Sequence, residues 1–153
     1  MSVPDRFVAL IRPAAPECPL DQAFPLLTVD EAGYPHVALL ASAQLGVDAA
    51  ASVVLASVAG ANTRRNLARN RRATLLAADG VALHIAKLDV VATVETNDRF
   101  GVALQIAAYR LDSAGTALHP MLFARSEELM AAERWDKDTE VLDRLRAELT
   151  GGD

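Results

Sequence analysis

Residues 55–78 read LASVAGANTRRNLARNRRATLLAA. This stretch places an apolar run, a turn of small residues, a short arginine-rich helix and a second apolar run one after another. Five of the fifteen basic residues of the chain fall within nine positions of it: Arg64, Arg65, Arg69, Arg71 and Arg72. Because the whole chain has a formal net charge of −5, the stretch is a local positive region on an acidic protein. A helix that starts beside a buried strand and carries arginines predicts a site for a small anion.

The predicted anion site has three parts. Ser57 ends the preceding strand with a hydroxyl group, and Asn62 is a favourable N-cap residue for a helix over Thr63–Asn70. Arg64 and Arg65 follow in the first turn, where each can offer a phosphate two parallel N–H donors. The free N–H groups of the helix start would add about half a positive charge.

An alternative explanation uses the same residues without a ligand. Asn62 would simply cap the helix, and the arginines would form a solvated face that pairs with the acidic C-terminal helix. Arginines early in a helix oppose its dipole, at about 0.3–1 kcal/mol each, unless something negative lies nearby. This cost favours a bound anion, but the residues alone leave both explanations open.

Composition limits the protein class. The chain has 153 residues, enough for one domain with an aliphatic core, and its acidic balance argues against nucleic-acid binding. The single cysteine, Cys18, excludes an internal disulfide and has no basic neighbour that would activate its thiol. We find no secretory leader and no apolar run of about 20 residues, so we expect a cytoplasmic protein without membrane spans.

The remaining chain reads mostly as short strands joined by turns. A hairpin is predicted from Phe24–Val29 and 35–45, with its turn at Glu31–Gly33, and a second turn is predicted at 46–51. Further strands are predicted at 52–58, 73–78 and 81–94, with Lys87 and Asp89 marking a wet face or a kink. Consecutive strands in hairpin order indicate an antiparallel barrel or sandwich.

Helices are predicted at both ends of the chain. Residues 4–11 can form one or two turns, and a helical C-terminal segment spans about 126–150. Within it, Ser126 starts a first helix and Asp138 caps a second. The alanine-rich segment 100–111 is compatible with either strand or helix, since periodicity does not separate the two.

The usual catalytic motifs are absent. The sequence contains no GxSxG, no HExxH and no phosphate loop ending in Gly-Lys-Ser/Thr. His36, His84 and His119 stand singly, and their spacing does not predict a metal site.

The order of these elements resembles the FMN-binding split β-barrel proteins related to pyridoxamine 5′-phosphate oxidase. In that family a strand ending in Ser or Thr leads to a basic helix with Asn-Leu, then to Asn-Pro and an apolar strand. Asn66–Leu67 and Asn70 match this pattern, and Arg71 stands where proline is usual. Upstream, LLTVDEAGYPHVALLAS (26–42) resembles the first hairpin of the family, so that the match covers residues 24 to about 94.

The resemblance implies a mainly β fold and a homodimer that binds FMN at the subunit interface, with the phosphate at the basic helix. It places Ser57, Asn62 and Thr63 at the phosphate, Leu39 on the strand whose backbone faces the flavin ring, and His84 near that ring. The family often has Lys or Arg at the positions of Asn62 and Thr63, so Arg64 or Arg65 would have to substitute.

The resemblance also leaves the cofactor open, because related proteins bind a deazaflavin or haem instead. For haem, one of the three histidines would have to ligate the iron. We therefore expect an FMN-dependent oxidoreductase of unknown substrate, with a non-enzymatic carrier or sensor as the alternative. Pyridoxamine phosphate oxidation itself is disfavoured, because the acidic C-terminus lacks the arginine-rich segment that those oxidases use for substrate.

Overall fold

The computed structural model describes residues 3–11, 22–48, 52–113, 115–124 and 135–151. The expectations for Cys18 and Ser126 lie outside these residues. The described elements are α1 (Asp5–Ile11), β1 (Phe24–Val29), β2 (Pro35–Leu40), a 3₁₀ turn (Ser42–Gln44), β3 (Leu45–Asp48), β4 (Val53–Val58), α2 (Ala61–Asn70), β5 (Arg72–Ala78), β6 (Leu83–Glu95), β7 (Phe100–Asp112) and α3 (Trp135–Gly151).

The strands form one curled, antiparallel, seven-stranded sheet in the order β2-β1-β5-β6-β7-β4-β3. The predicted first hairpin is confirmed, with Thr28 opposite His36. Its turn is closed by Asp30, whose carboxylate accepts from the Tyr34 backbone N–H at 2.8 Å. Gly33 has a φ of +90°, a conformation that residues with a Cβ adopt only with strain.

The turn predicted at 46–51 is wrong in its first half, because Leu45–Asp48 is strand β3 and pairs with β4. The second strand of the hairpin also ends earlier than predicted, at Leu40. A 3₁₀ turn follows, in which the Gln44 side chain accepts from the Ala41 backbone N–H at 2.9 Å. After this turn the four-residue strand β3 pairs with β4 at the opposite end of the strand order from β2.

The ambiguous segment 100–111 is strand, since β7 pairs with β4 on one side and β6 on the other. The β6–β7 register shifts at Lys87/Leu88 and again at Val90/Ala92. Such irregularities bend and twist a pair of strands, which allows two thirteen-residue strands to curl around a core. Lys87 is exposed and lies beside the first register shift, so the wet face and the irregularity that the sequence offered as alternatives occur together.

The core lies inside the curled sheet and receives side chains from two helices. Phe7 and Ile11 of α1 and Leu67 of α2 are buried in the same apolar cluster as the inward residues of the strands. Every residue of β4 is buried, as predicted, because α3 covers its outer face. The predicted mainly β fold with flanking helices is confirmed.

Helix α3 packs closely on the sheet at Gly101, where an added Cβ would lie 2.4 Å from Val141 Cγ1. The helix begins at Trp135, so Asp138 lies inside its first turn and is not the predicted cap. Among the described residues, no helix is long and apolar enough to cross a membrane.

Candidate functional site

Asn62 does not cap α2, contrary to the prediction from the sequence, because the helix begins two residues earlier, at Ala61. Gly60 holds the N-cap position, in extended conformation and without a side chain to cap. The first intrahelical bond runs from the Arg64 N–H to the Gly60 carbonyl at 3.1 Å. The N–H groups of residues 61–63 precede that bond and point out of the helix start, where an anion can accept from them.

Arg64 and Arg65 are both exposed on the first turn of this helix. Arg64 lies 5.6 Å above the centroid of the Phe100 ring and forms an ion pair with Glu95. Arg65 donates to the side-chain oxygen of Asn62. The alternative explanation predicted pairing with the C-terminal helix, but the acidic partner of Arg64 is Glu95 of β6. An exposed pair of this kind is worth at most about 1 kcal/mol, so an anion can compete for Arg64.

Ser57 and Thr63, the two hydroxyl residues predicted at the phosphate, are buried in the single chain. The Ser57 hydroxyl donates to Asp138 of α3 at 2.6 Å, and Arg99 Nε donates to the same carboxylate oxygen at 2.8 Å. The roles predicted for Ser57 and Thr63 stay predictions. Of the residues predicted to hold the phosphate, Asn62, Arg64 and Arg65 reach solvent.

Asn66 and Asn70, the two asparagines that match the family pattern, attach α2 to strand β1. Asn66 donates to the Thr28 hydroxyl at 3.0 Å, and Asn70 donates to the Val29 carbonyl at 2.9 Å. Arg71 ends the helix with a φ of +57°, which a proline could not adopt. The two asparagines therefore hold α2 against β1. The family's usual proline is absent at position 71 because the chain makes a left-handed turn there.

A groove of about 460 Å³ lies on the outer face of the sheet, beside the end of α2. Its walls come from β1, β5, β6 and β7 and combine apolar with charged side chains. They include Leu27, Val29, Thr74, Lys87, Asp89 and Ala108. Leu39 lies on the same outer face, 44% exposed on the edge strand β2. The groove falls within the ordinary size range of small-molecule sites, about 300–1,000 Å³.

His84 is placed away from this site. It stands at the opposite end of β6 from Glu95, the partner of Arg64, and its ring is fully buried. Its Nε2 lies 2.7 Å from Asp79 Oδ2, its Nδ1 contacts the Tyr109 hydroxyl, and Phe7 stacks on the ring. The structure thus gives His84 a role in fixing α1 and does not bring it together with the arginines.

This cluster was missed at the sequence level, although the Asp79–Gly80 turn itself was predicted. Partial burial raises the pKa of the Asp79 carboxyl. Hydrogen bonds from His84 and from two backbone N–H groups of the turn outweigh that effect, so the pKa of Asp79 lies well below its usual value. Burial also raises the pKa of Tyr109. In the described part of the chain, no three His, Cys, Asp or Glu side chains form a metal site.

Comparison with protein-family models and with curated proteins finds no match. Solved structures do match. An F420 reductase is 17% identical with a TM-score of 0.54, over 71% of this chain and 98% of its own. A nitrilotriacetate monooxygenase component B homolog from Mycobacterium thermoresistibile is 13% identical with a TM-score of 0.55, over 70% and 77%.

A third matching structure, flavin reductase PheA2, is 15% identical with a TM-score of 0.50, over 80% of this chain and all of its own. At these identities the likeness establishes the fold. The resemblance seen in the sequence is confirmed at that level: the chain has the split β-barrel fold of the flavin reductases and F420 reductase, the FMN-binding fold of the pyridoxamine 5′-phosphate oxidase-like proteins.

Proposed function

We propose that the chain is an FMN-binding flavoprotein of the oxidoreductase class, with a substrate still to be identified. The observation that carries the proposal is the uncapped start of α2, which presents two exposed arginines in a fold shared with solved flavin reductases. The same fold in F420 reductase keeps a deazaflavin as an alternative cofactor.

The phosphate of FMN suits the start of α2. The N–H groups of residues 61–63 and the side chains of Asn62, Arg64 and Arg65 would hold it. Gly60 leaves room for this approach, because even an added Cβ would meet only the Thr63 hydroxyl, at 3.8 Å. Arg64 would exchange its exposed partner Glu95 for a doubly charged phosphate.

The outer face of the sheet offers an apolar surface for the flavin ring. Leu39 and the groove beside α2 lie on this face, and the groove is large enough for a ligand of that class. When bound, FMN would supply the electron-transfer chemistry. The chain would bind and orient it and exclude water from the ring.

We propose further that two copies of the chain associate through this outer face. Val29, Val37 and Leu39 form an apolar strip across β1 and β2, and each is between 44% and 52% exposed. An exposed apolar strip on a sheet edge favours association, because burying it removes apolar surface from water. The resulting homodimer would cover the cofactor at the subunit interface.

A haem carrier finds less support in the described residues. Both ring nitrogens of His84 already contact Asp79 and Tyr109, so iron ligation would require breaking that buried cluster. His36 and His119 remain more accessible, but they lie on separate parts of the chain.

The visible spectrum of the purified protein tests the proposal. We expect flavin absorption bands, or quenching of FMN fluorescence when FMN is added to cofactor-free protein. A Soret band would instead favour the haem carrier, and a colourless protein that leaves FMN fluorescence unchanged would exclude the flavin proposal. Anaerobic bleaching of the flavin band by NADH or NADPH would support the oxidoreductase class.

A further inference from the structure

The groove on the outer face of the sheet has small residues on one side, because strand β7 bulges there. Lys87 of β6 lies opposite Ala108 of β7, and the next residue, Leu88, lies opposite Ile106, so that Ala107 has no cross-strand partner. A bulge re-aims side chains and is common next to active sites. Ala107 and Ala108 are both exposed and both line the groove. The bulge therefore leaves open space in front of Lys87.

The groove carries an excess of one positive charge. Arg72 and Asp89 are cross-strand partners, and Arg72 Nε lies 3.5 Å from Asp89 Oδ1. Asp89 is thus already paired, and Lys87, the other cation of the groove, forms no ion pair within the described part of the chain. A concave surface with an excess of one sign of charge attracts a ligand of the opposite sign. The groove is therefore suited to an anion, on a chain whose formal net charge is −5.

A second donor lies beside Lys87. Thr74 of β5 is the direct cross-strand partner of Lys87, so that their Cβ atoms are about 5 Å apart on the same face. Thr74 is half-buried in the groove wall, and among the residues that the structure describes its hydroxyl has no hydrogen-bond partner. Leu27 and Val29 of β1 form the apolar wall next to it. An ammonium and a hydroxyl at this spacing suit the two oxygens of one carboxylate.

We propose that the groove binds a small organic acid, whose carboxylate accepts from Lys87 Nζ and from the Thr74 hydroxyl. Leu27, Val29 and the two alanines of the bulge contact its apolar body. One excess charge suits a monocarboxylate, and Asp89 in the groove wall repels a doubly charged phosphate, which the start of α2 suits better. Binding of the acid is independent of the flavin. That this acid is the substrate class of the oxidoreductase rests on the proposed function.

Benzoate and benzamide are matched probes, because they share a ring and differ in the charge of the group that Lys87 binds. We expect ¹H–¹⁵N spectra of the full chain without flavin to show saturable benzoate-induced shifts at residues 74, 87, 107 and 108. Benzoate should bind at least about tenfold more tightly than benzamide, since charge-assisted hydrogen bonds are roughly twice as strong as neutral ones. Equal affinity for the two probes, or no saturable shifts at these residues, would overturn the proposal. Displacement of benzoate by inorganic phosphate at equal concentration would overturn the assignment to a carboxylic acid.

Lys87→Met tests the cation directly, because it preserves the length of an exposed side chain and removes the charge. We expect it to weaken benzoate binding at least about tenfold and benzamide binding by less, and Thr74→Val to weaken benzoate binding about tenfold. Arg144→Met is the matched control, since Arg144 is an exposed cation on α3 that does not line the groove, and it should alter neither affinity. Unchanged benzoate affinity in Lys87→Met, or an equal loss for both probes, would overturn the role of Lys87.

The same titration on the FMN-loaded chain separates this inference from the proposed function. A substrate beside the flavin should keep its affinity and change the visible absorption of the flavin. Loss of benzoate binding when FMN is added, or a flavin spectrum that stays constant at saturating benzoate, would overturn the substrate role. If the chain bound no FMN, the proposed function would fall, whereas the benzoate titration of the flavin-free chain would still decide whether the groove binds an organic acid.

Discussion

Asp138→Ala tests how α3 is joined to the barrel. Asp138 is fully buried, accepts from the Ser57 hydroxyl at 2.6 Å and from Arg99 Nε at 2.8 Å, and so links α3 to β4 and to the start of β7. Removing one partner of a buried ion pair costs about 3–5 kcal/mol, because the other charge stays in a poorly solvated site. We therefore expect the free energy of unfolding to fall by that amount.

Urea unfolding followed by far-ultraviolet circular dichroism measures this change, and the melting temperature should fall by roughly 10 °C. Asp143→Ala is the matched control, because Asp143 lies on the same helix in an exposed pair with Arg146 at 3.2 Å. Its loss should cost less than about 1 kcal/mol.

A double-mutant cycle with Ser57→Ala isolates the pair at the end of β4. Because Ser57 and Asp138 are in direct contact, we expect a coupling free energy of about 1 kcal/mol or more. If Asp138→Ala were no more destabilising than Asp143→Ala, or if the two changes of the cycle were additive, the buried link described for α3 would be refuted.

Three further predictions concern other parts of the chain. Gly101→Ala should destabilise the protein by about 1–3 kcal/mol in urea unfolding, because its Cβ would overlap a valine of α3; unchanged stability would contradict the close packing. Asp79→Asn should cost about 1–3 kcal/mol at neutral pH. Because folding lowers the pKa of Asp79, its carboxylate stabilises the fold above the unfolded pKa near 4, and this stabilisation is lost as the pH falls. The difference in free energy of unfolding between the native chain and Asp79→Asn should therefore shrink in acid. A difference that stays constant with pH would argue against the charged cluster. Val37→Glu should shift the sedimenting species from dimer to monomer, whereas Val81→Glu, at an exposed turn, should not; a monomeric native chain would contradict the proposed interface.

Much of the sheet could be predicted from local sequence. The first hairpin has a clear turn signal at Asp30–Gly33, and β4 is a continuous apolar run because both of its faces are covered. The alanine-rich β7 could not be assigned, since alanine favours no strand, and only its pairing with β4 and β6 decides the matter. Strand β3 was missed because its Gly46 and Asp48 are typical of turns.

The elements around the candidate site were predicted in place, whereas the binding roles of its residues stay predictions. The sequence identified the strand, the turn and the arginine-rich helix, whereas the N-cap shifted from Asn62 to Gly60, because a glycine in extended conformation serves that position too. The partner of Ser57 could not be found locally, because Asp138 lies 81 positions away along the chain. The contact of His84 with Tyr109 of β7 could not be found locally either, because the two residues lie 25 positions apart on different strands.

The affinities for FMN and for riboflavin, which lacks the phosphate, test the central claim most directly. We expect the native chain to prefer FMN, and Arg64→Ala with Arg65→Ala to weaken FMN binding at least about 100-fold, since the double variant removes two charge-assisted bonds of about 1.5–3 kcal/mol each. Riboflavin affinity should not change. Arg110→Ala is the control, because this arginine lies outside both the helix and the groove, 72% exposed and 3.0 Å from Asp112. Equal affinity of the native chain for the two flavins, or unchanged FMN affinity in the double variant, would contradict a flavin-phosphate site at the start of α2.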